Sequence, residues 1–311
     1  MAIEGDRCID AGSEYCPCYL AEMNKCITCT RLNGKDYCDC IWRGVCINQE
    51  YHFLGNKKKD VRQYQEATII QRELLGENAI IFTLKVPHSL ARQLKQPGSY
   101  IFIRNRRLEQ FFDMPISIMY ADQAEGIIKI AVEIHGVKTQ SIKNVEDTLL
   151  IKGPYWNGLF GIEDLKKTKG ANCLVLARGI AQAPAVLAVK YLMKNKNDVK
   201  LLIDRSSTKY NLIQEYCNAE ILNDNCDFYS KEGKDLLRHY LNIGNYELIF
   251  VGGSDYLHQN LLDIIKENNK YKIVLTNNKE ICCGEGVCGA CTVYDADGIP
   301  IRSCKTQIKH H

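Results

Sequence analysis

Sixteen cysteines, thirteen of them gathered at the two ends of a 311-residue chain, constrain this sequence more than any other feature. Eight fall between Cys8 and Cys46 and five between Cys282 and Cys304; only Cys173, Cys217 and Cys226 lie between these groups. Thiols used merely as core residues would scatter along the chain. Structural disulfides belong to oxidising compartments. Met1 to Asp10 holds no apolar stretch of the kind a secretory signal needs, so a reducing, cytoplasmic setting is expected. Clustered thiols there are expected to do metal or redox work.

The remaining composition mainly excludes. Forty basic against 37 acidic residues leave a net charge of +3, too balanced to point to nucleic acid or an anionic membrane surface. The most apolar run, Cys173 to Met193, is interrupted by Arg178 and Lys190 and suits no membrane span. None of the seven histidines sits in a convincing acid–base constellation, so no catalytic residue is assigned. His310-His311 reads as the end of an expression tag.

Four segments are distinguishable. Residues 1–58 are rich in cysteine and poor in periodic apolar pattern, with Lys57-Lys58-Lys59-Asp60 reading as a solvated linker. Residues 62–165 carry short β-branched or aromatic runs, Ala67–Leu74, Ala79–Val86, Ser99–Arg104, Pro115–Tyr120, Ile127–Ile134 and Thr148–Lys152, separated by turn-forming residues. Six strands at this spacing predict a small antiparallel barrel or sandwich. Residues 166–276 change rhythm to strand–helix alternation. Strands are expected at Cys173–Ala177, Val199–Asp204, Leu248–Val251 and Tyr271–Leu275, with helices to Lys194, through Cys217, and from Asp255 to Glu267. Such alternation implies a parallel α/β sheet that binds ligands at the carboxyl ends of its strands. Residues 277–311 hold the second cysteine group. The expected class is therefore a multidomain α+β protein.

Within the last segment, Cys283-x4-Cys288-x2-Cys291, followed by Cys304 after twelve residues, matches the plant-type [2Fe–2S] spacing. Two irons and two sulfides need four thiolates on a short arc. Gly284, Gly286 and Gly289 let the backbone wrap closely and aim N–H groups at sulfur. A zinc site of four cysteines is the alternative, but zinc knuckles favour paired Cys-x2-Cys units and only one is present. Cys282 is a surplus thiol, since the x4 spacing selects Cys283.

At the other end the spacing is Cys8-x7-Cys16-Pro17-Cys18-x7-Cys26-x2-Cys29-x8-Cys38-Asp39-Cys40-x5-Cys46. Eight thiols in 39 residues with few apolar neighbours imply that metal organises this module. One or two [4Fe–4S] clusters, or two zinc sites, satisfy the count. The bacterial ferredoxin run is absent. A disulfide-exchange role for Cys26-x2-Cys29 lacks the surrounding βαβ pattern.

Between these ends, Pro97-Gly98-Ser99-Tyr100, Met114-Pro115-Ile116-Ser117-Ile118, Gly136-Val137-Lys138-Thr139 and Gly153-Pro154-Tyr155-Trp156-Asn157-Gly158 occur in that order. A Pro-x-Ser strand offers backbone groups and a hydroxyl to a flavin edge, and a glycine turn opening a helix offers N–H donors to a diphosphate. In this order, and with the terminal cysteine loop, residues 64–308 resemble the electron-transfer subunit of type B dihydroorotate dehydrogenase, in the ferredoxin–NADP reductase superfamily. The resemblance implies FAD on Pro115, Ile116, Ser117, Gly136, Lys138, Thr139 and Gly153. Met114 stands where the family has an arginine for phosphate; Arg104, Arg106 and Arg107 are the nearest substitutes.

The resemblance weakens where nicotinamide would bind. Ala177-Arg178-Gly179-Ile180-Ala181-Gln182-Ala183-Pro184 replaces a Gly-Gly-Gly-Ile-Gly-x-Ala-Pro-type turn, keeping only Gly179 of its glycines. Side chains at Arg178 and Ala181 would crowd a pyrophosphate, unless Arg178 contacts phosphate itself. Val251-Gly252-Gly253 replaces the family's Cys-Gly-Pro, and Arg205-Ser206-Ser207 is a weak signal for a 2′-phosphate. Two readings stay open for Gly179 and Gly252, a working NAD(P) site or a vestigial one. The expected function is flavin and iron–sulfur electron transfer to a partner oxidoreductase subunit or ferredoxin-like protein, in a hetero- or homo-oligomer. A zinc-organised adaptor on a reductase scaffold is the competing class.

Overall fold

The computed structural model describes residues 2–206, 210–267, 270–295 and 297–309; Ser207, His310 and His311 lie outside them. The chain forms two compact units, one of residues 1–63 with 279–310, the other of residues 64–278. No described helix is long and apolar enough to cross a membrane.

The first unit begins with strand β1 (Ala2–Cys8), helix α1 (Tyr19–Glu22) and helix α2 (Ile47–Phe53). One apolar cluster of its described residues is half thiol: Cys16, Ala21, Cys26, Cys29, Leu32 and Ile47. In the segment expected to be a solvated linker, Lys57 and Asp60 are exposed and Lys58 and Lys59 half-buried. Lys59 pairs with Glu50 at 2.5 Å and its N–H donates to Pro17 O, while Lys58 lies over the Tyr19 ring at 4.6 Å.

The second unit opens with six strands: β2 (Tyr64–Leu75), β3 (Ala79–Lys85), β4 (Tyr100–Asn105), β5 (Met114–Asp122), β6 (Ile127–Glu133) and β7 (Thr148–Tyr155). They close into a barrel ordered β2-β3-β6-β5-β4-β7, so the barrel form holds and the sandwich does not. The strand β3, Ala-Ile-Ile-Phe-Thr-Leu-Lys, is buried at every position but the last, whereas part of β2 alternates. Closure leaves no free edge and buries a continuous core from Ala67 to Ile151. Helices α3 (His88–Gln93) and α4 (Val137–Gln140) interrupt the strands.

The α/β part adds β8 (Leu159–Phe160), α5 (Ile162–Lys167), β9 (Asn172–Arg178), α6 (Gln182–Lys194), β10 (Asp198–Asp204) and α7 (Leu212–Tyr216). It continues with β11 (Glu220–Asn223), α8 (Lys231–Ile243), β12 (Tyr246–Gly252), α9 (Asp255–Lys266) and β13 (Lys272–Thr276). The sheet order is β11-β10-β9-β12-β13-β8, parallel except for β8. The expected helix through Cys217 is confined to α7, capped by Asn211. The helix α8 was missed, although Ser230 caps it by accepting from Gly233 and its Leu237 and Leu241 are buried. Back in the first unit, β14 (Thr292–Tyr294) and β15 (Pro300–Arg302) form a hairpin. The last strand, β16 (Thr306–Lys309), pairs antiparallel with β1 and places Cys8 opposite Thr306.

Candidate flavin, nucleotide and iron–sulfur sites

The four motifs of the barrel converge. The strand β4 pairs Tyr100 with Ser117 of β5 on one side and with Tyr155 of β7 on the other. Ile118 N–H donates to Ser99 O, and Gly158 N–H donates to Gly98 O at 2.8 Å. Gly98 has φ +78°, and a Cβ on Gly158 would lie 2.7 Å from Gly98 O, so both glycines serve one close backbone approach. The turn before α4 reaches the same region, because Lys138 Nζ donates to Asp113 O at 2.8 Å, immediately before Met114. Around it Pro115 is exposed, Ile116 and Ser117 are half-buried, and Val137 and Phe111 are 76% and 71% exposed.

Several residues here have settled roles. Thr139 Oγ1 accepts from His135 and Gly136 N–H, so the turn is internally capped. Gly153 is explained by packing, since a Cβ would meet Ile101 Cγ2 at 2.7 Å. Ser99 Oγ is buried without a hydrogen-bond partner among the described residues. Of the arginines that might replace the missing one, Arg104 is committed: it lies 3.6 Å from Asp113 and over the Tyr64 ring. Asp113 also accepts from Tyr64 and lies 3.9 Å from Lys152. Burial and that carboxylate push the Tyr64 phenol upward. Arg106 pairs with Asp147 and Glu66, and with Arg107 it lines a cleft of about 290 Å³ shared with Gln140 and Ser141.

At the carboxyl ends of the parallel strands, charged side chains pair across the nucleotide-type turn. Arg178 ends β9 beside Asp204, its partner across β10, and the two side chains form an ion pair. The guanidinium also lies over the Tyr229 ring at 4.4 Å and 3.9 Å from Asp227. Asp204, 4% exposed, accepts from the N–H groups of Ser206 and Phe228. Gly252 packs so closely that a Cβ would sit 2.9 Å from Ala181 O. Ser254 caps α9, and Val251, where a cysteine is usual, is fully buried. Arg205 is paired with Asp224.

The cysteines of the first unit are unevenly placed. Cys291 and Cys304 are buried together, Cys283 is half-buried, and Cys282 and Cys288 are exposed. A hydrogen bond from Cys304 draws the Cys291 thiol down to about 6, and the same contact with burial drives Cys304 upward. The Glu285 N–H donates to Cys283 Sγ at 3.3 Å, and Gly284, Gly286 and Gly289 have φ of +69°, +75° and +80°. Cys8, Cys16, Cys26 and Cys29 are pushed upward by burial, Cys16 to about 12. Cys18 and Cys40 are half-buried, while Cys38 and Cys46 are exposed. Among the described residues, no three His, Cys, Asp or Glu side chains converge on the position of a single metal ion. The loop offers what a thiolate-bound cluster uses, a glycine-wrapped backbone and an N–H donated to sulfur.

No protein-family model matches the chain. It is 24% identical over 208 residues to the electron-transfer subunit of dihydroorotate dehydrogenase B (NAD(+)) from Clostridium perfringens, a span of 63% of this chain and 77% of that one. Among solved structures, an NADH-dependent reduced ferredoxin–NADP oxidoreductase superposes with a TM-score of 0.61 at 18% identity, covering 76% of this chain and 85% of that one. The ferredoxin–NADP+ reductase of Plasmodium falciparum with 2′P-AMP gives 0.51 at 16% identity, over 70% and 98%. The chain has the ferredoxin–NADP reductase fold.

On this reductase fold, sequence reasoning missed one cluster. In the first unit Arg62, Asp10, Glu285 and Lys305 are gathered below the surface. Arg62 donates to Asp10 at 2.9 Å and to Glu285 at 3.2 Å; Lys305 donates to Asp10 at 2.5 Å and to Glu285 at 3.0 Å. Three of the four flank cysteines, Asp10 after Cys8, Glu285 after Cys283 and Lys305 after Cys304. That adjacency was the available signal, but single charges in sequence do not announce burial. The other omission was Asp204, whose pairing with Arg178 depends on strand register.

Proposed function

We propose that this chain is an electron-transfer subunit of a flavin-dependent oxidoreductase, carrying FAD on its barrel and a [2Fe–2S] cluster on Cys283, Cys288, Cys291 and Cys304. The observation that carries this reading is the convergence of Pro97–Tyr100, Met114–Ser117, Gly136–Thr139 and Gly153–Gly158 around β4. FAD, when bound, supplies exchange of one or two electrons; the protein sets position, potential and partner. Pro115 and Ser117 lie on one face of β5 and offer a single hydroxyl, while Ile116 between them packs against the barrel core. Lys138, with Gly136 and Thr139, shapes the adjoining turn, and Arg106 and Arg107 provide the cationic edge in place of Met114. In the cysteine loop, Glu285 N–H stabilises charge on Cys283, and Lys305 holds a positive charge beside Cys304.

The nicotinamide position supports a relay that exchanges electrons through protein partners. Arg178 and Asp204 neutralise each other where a pyrophosphate would approach. The likeness to a dihydroorotate dehydrogenase subunit supports a separate catalytic subunit as the partner. Two measurements on anaerobically purified chain test these statements. About one FAD is expected per chain, with loss of about two irons on Cys291→Ser; zinc alone, with no flavin band, would sink the proposal in favour of an adaptor. NADH or NADPH should leave the flavin oxidised, and rapid bleaching would restore a working nucleotide site.

A further inference from the structure

We propose that an open cleft beside the cysteine loop receives an extended, acidic segment of the partner subunit, its apolar side chains set between carboxylates. The inference rests on the electron-transfer reading and deepens it, naming where the partner docks and by what chemistry. The cleft measures about 660 Å³, within the usual range for a binding groove, and all its walls belong to the first unit. One wall comes from residues 20–41, the other from Gly286, Val287 and residues 299–302.

Three properties of these walls select the occupant. The first is apolar exposure. Met23, Ile41, Val287 and Ile299 line the cleft with large apolar side chains left exposed to water. Apolar surface gathered in one groove marks a binding face, because water is released when a partner covers it. The second is charge. Lys25, Lys35 and Arg302 border the cleft against one carboxylate, Asp39, and none of these three cations forms an ion pair among the described residues. Lys35 lies over the Tyr37 ring at 5.5 Å, and Arg302 donates to Thr292 Oγ1, so both are held without being neutralised. Of the acidic neighbours, Asp36 does not border the cleft, Glu22 accepts from Lys58 N–H at 2.9 Å, and Asp295 accepts from Ile299 N–H at 2.7 Å. A cationic rim around apolar walls complements a segment with carboxylates beside apolar side chains and repels a basic one.

The third is a strand edge. Among the described residues β15 pairs with β14 alone, and the cleft borders residues 299–302 consecutively without bordering β14. The side of β15 away from β14 therefore faces the cleft, which suits an extended segment laid beside it. Position gives the cleft its use. Gly286 and Val287 belong to the Cys283-x4-Cys288 loop, and Arg302 and Thr306 flank Cys304 at two residues on either side. A segment seated here lies against the loop that carries the proposed cluster.

The test uses the full chain purified without oxygen and two fluorescein-labelled peptides, Glu-Asp-Leu-Glu-Phe-Asp-Glu and the same peptide with lysine at every acidic position. Fluorescence anisotropy should show binding of the acidic peptide only, weakening about tenfold as salt rises from about 0.05 to about 0.5 M. The variant Lys25→Glu/Lys35→Glu should weaken that binding about tenfold or more, and Met23→Ser/Ile299→Ser about threefold or more. All four side chains are exposed, so flavin and iron content should stay unchanged. Carbodiimide coupling and mass spectrometry should join the acidic peptide to Lys25 or Lys35. No binding of the acidic peptide, equal binding of both, or coupling confined to other lysines would overturn the inference. Self-association abolished by the same variants would also overturn it, making a second copy of the chain the occupant. A chain that holds FAD and iron yet fails these measurements leaves the electron-transfer proposal standing. A chain without either cofactor removes that proposal, and the docking partner with it.

Discussion

The two compact units hold themselves together by different means. The unit of residues 64–278 buries two extensive apolar cores, one inside the barrel and one under the α/β sheet. In the unit built from both chain ends, one apolar cluster among the described residues has six buried members, three of them cysteines, and a four-charge cluster is buried at Asp10, Arg62 and Lys305 and half-buried at Glu285. Apolar burial scales with the core, and a module this small seldom folds on burial alone. On the proposed reading, the larger unit can fold without its redox group, whereas the smaller one depends on its metal.

The largest expected effect breaks the comparison outright. Metal removal by acid and chelator should unfold the first unit completely, exposing residues 7–63 and 279–309 to protease while residues 64–278 resist. A first unit that stays protected without metal would show that its small core and ion cluster suffice.

Next comes a reciprocal pair of substitutions, read with the two tryptophans, Trp42 in the first unit and Trp156 in the second. Lys305→Met strands Asp10 and Glu285 with Arg62 alone, and breaking such a buried set costs about 3–5 kcal/mol. Ile101→Ala leaves a cavity in the barrel at about 2–5 kcal/mol. Denaturation of single-tryptophan forms should show the first change only at Trp42 and the second only at Trp156. Either effect crossing to the other probe would make the units one cooperative body.

The smallest effect is a pH dependence of the larger unit. Burial pushes Cys173 up to about 12 and Cys217 and Cys226 up to about 11, against 9.0 for an exposed thiol. Between about pH 9 and pH 11 the unfolded chain releases these protons and the folded chain keeps them. Folding stability read at Trp156 should therefore fall as pH rises through that window. A Cys173→Ala/Cys217→Ala/Cys226→Ala variant should flatten the fall, and an unchanged slope would place its cause elsewhere.

Local pattern carried much of the larger unit. The strands from Ala79 and Cys173 were legible because their apolar runs are buried almost throughout, and that from Ile127 by its β-branched residues. The helix α8 escaped because Lys231, Glu232, Lys234 and Arg238 mask a stripe of two buried leucines, although its Ser230 cap was in view. Strands β8 and β11, of two and four residues, exist by pairing with neighbours and have little pattern of their own.

Sequence by itself determined the chemistry on offer: thirteen of sixteen thiols at two ends, a Cys-x4-Cys-x2-Cys loop, four ordered motifs and a nucleotide-type turn with one glycine left. These are short-range facts, set by residue type and spacing. Tertiary structure decided what those residues do to one another. Pairing of β1 with β16 brings Cys8 opposite Thr306, and four charges from three distant stretches bury together because each finds opposite partners. The register of β9 against β10 sets Arg178 upon Asp204. Contacts of this kind join residues tens to hundreds of positions apart, and no periodicity along the chain encodes them.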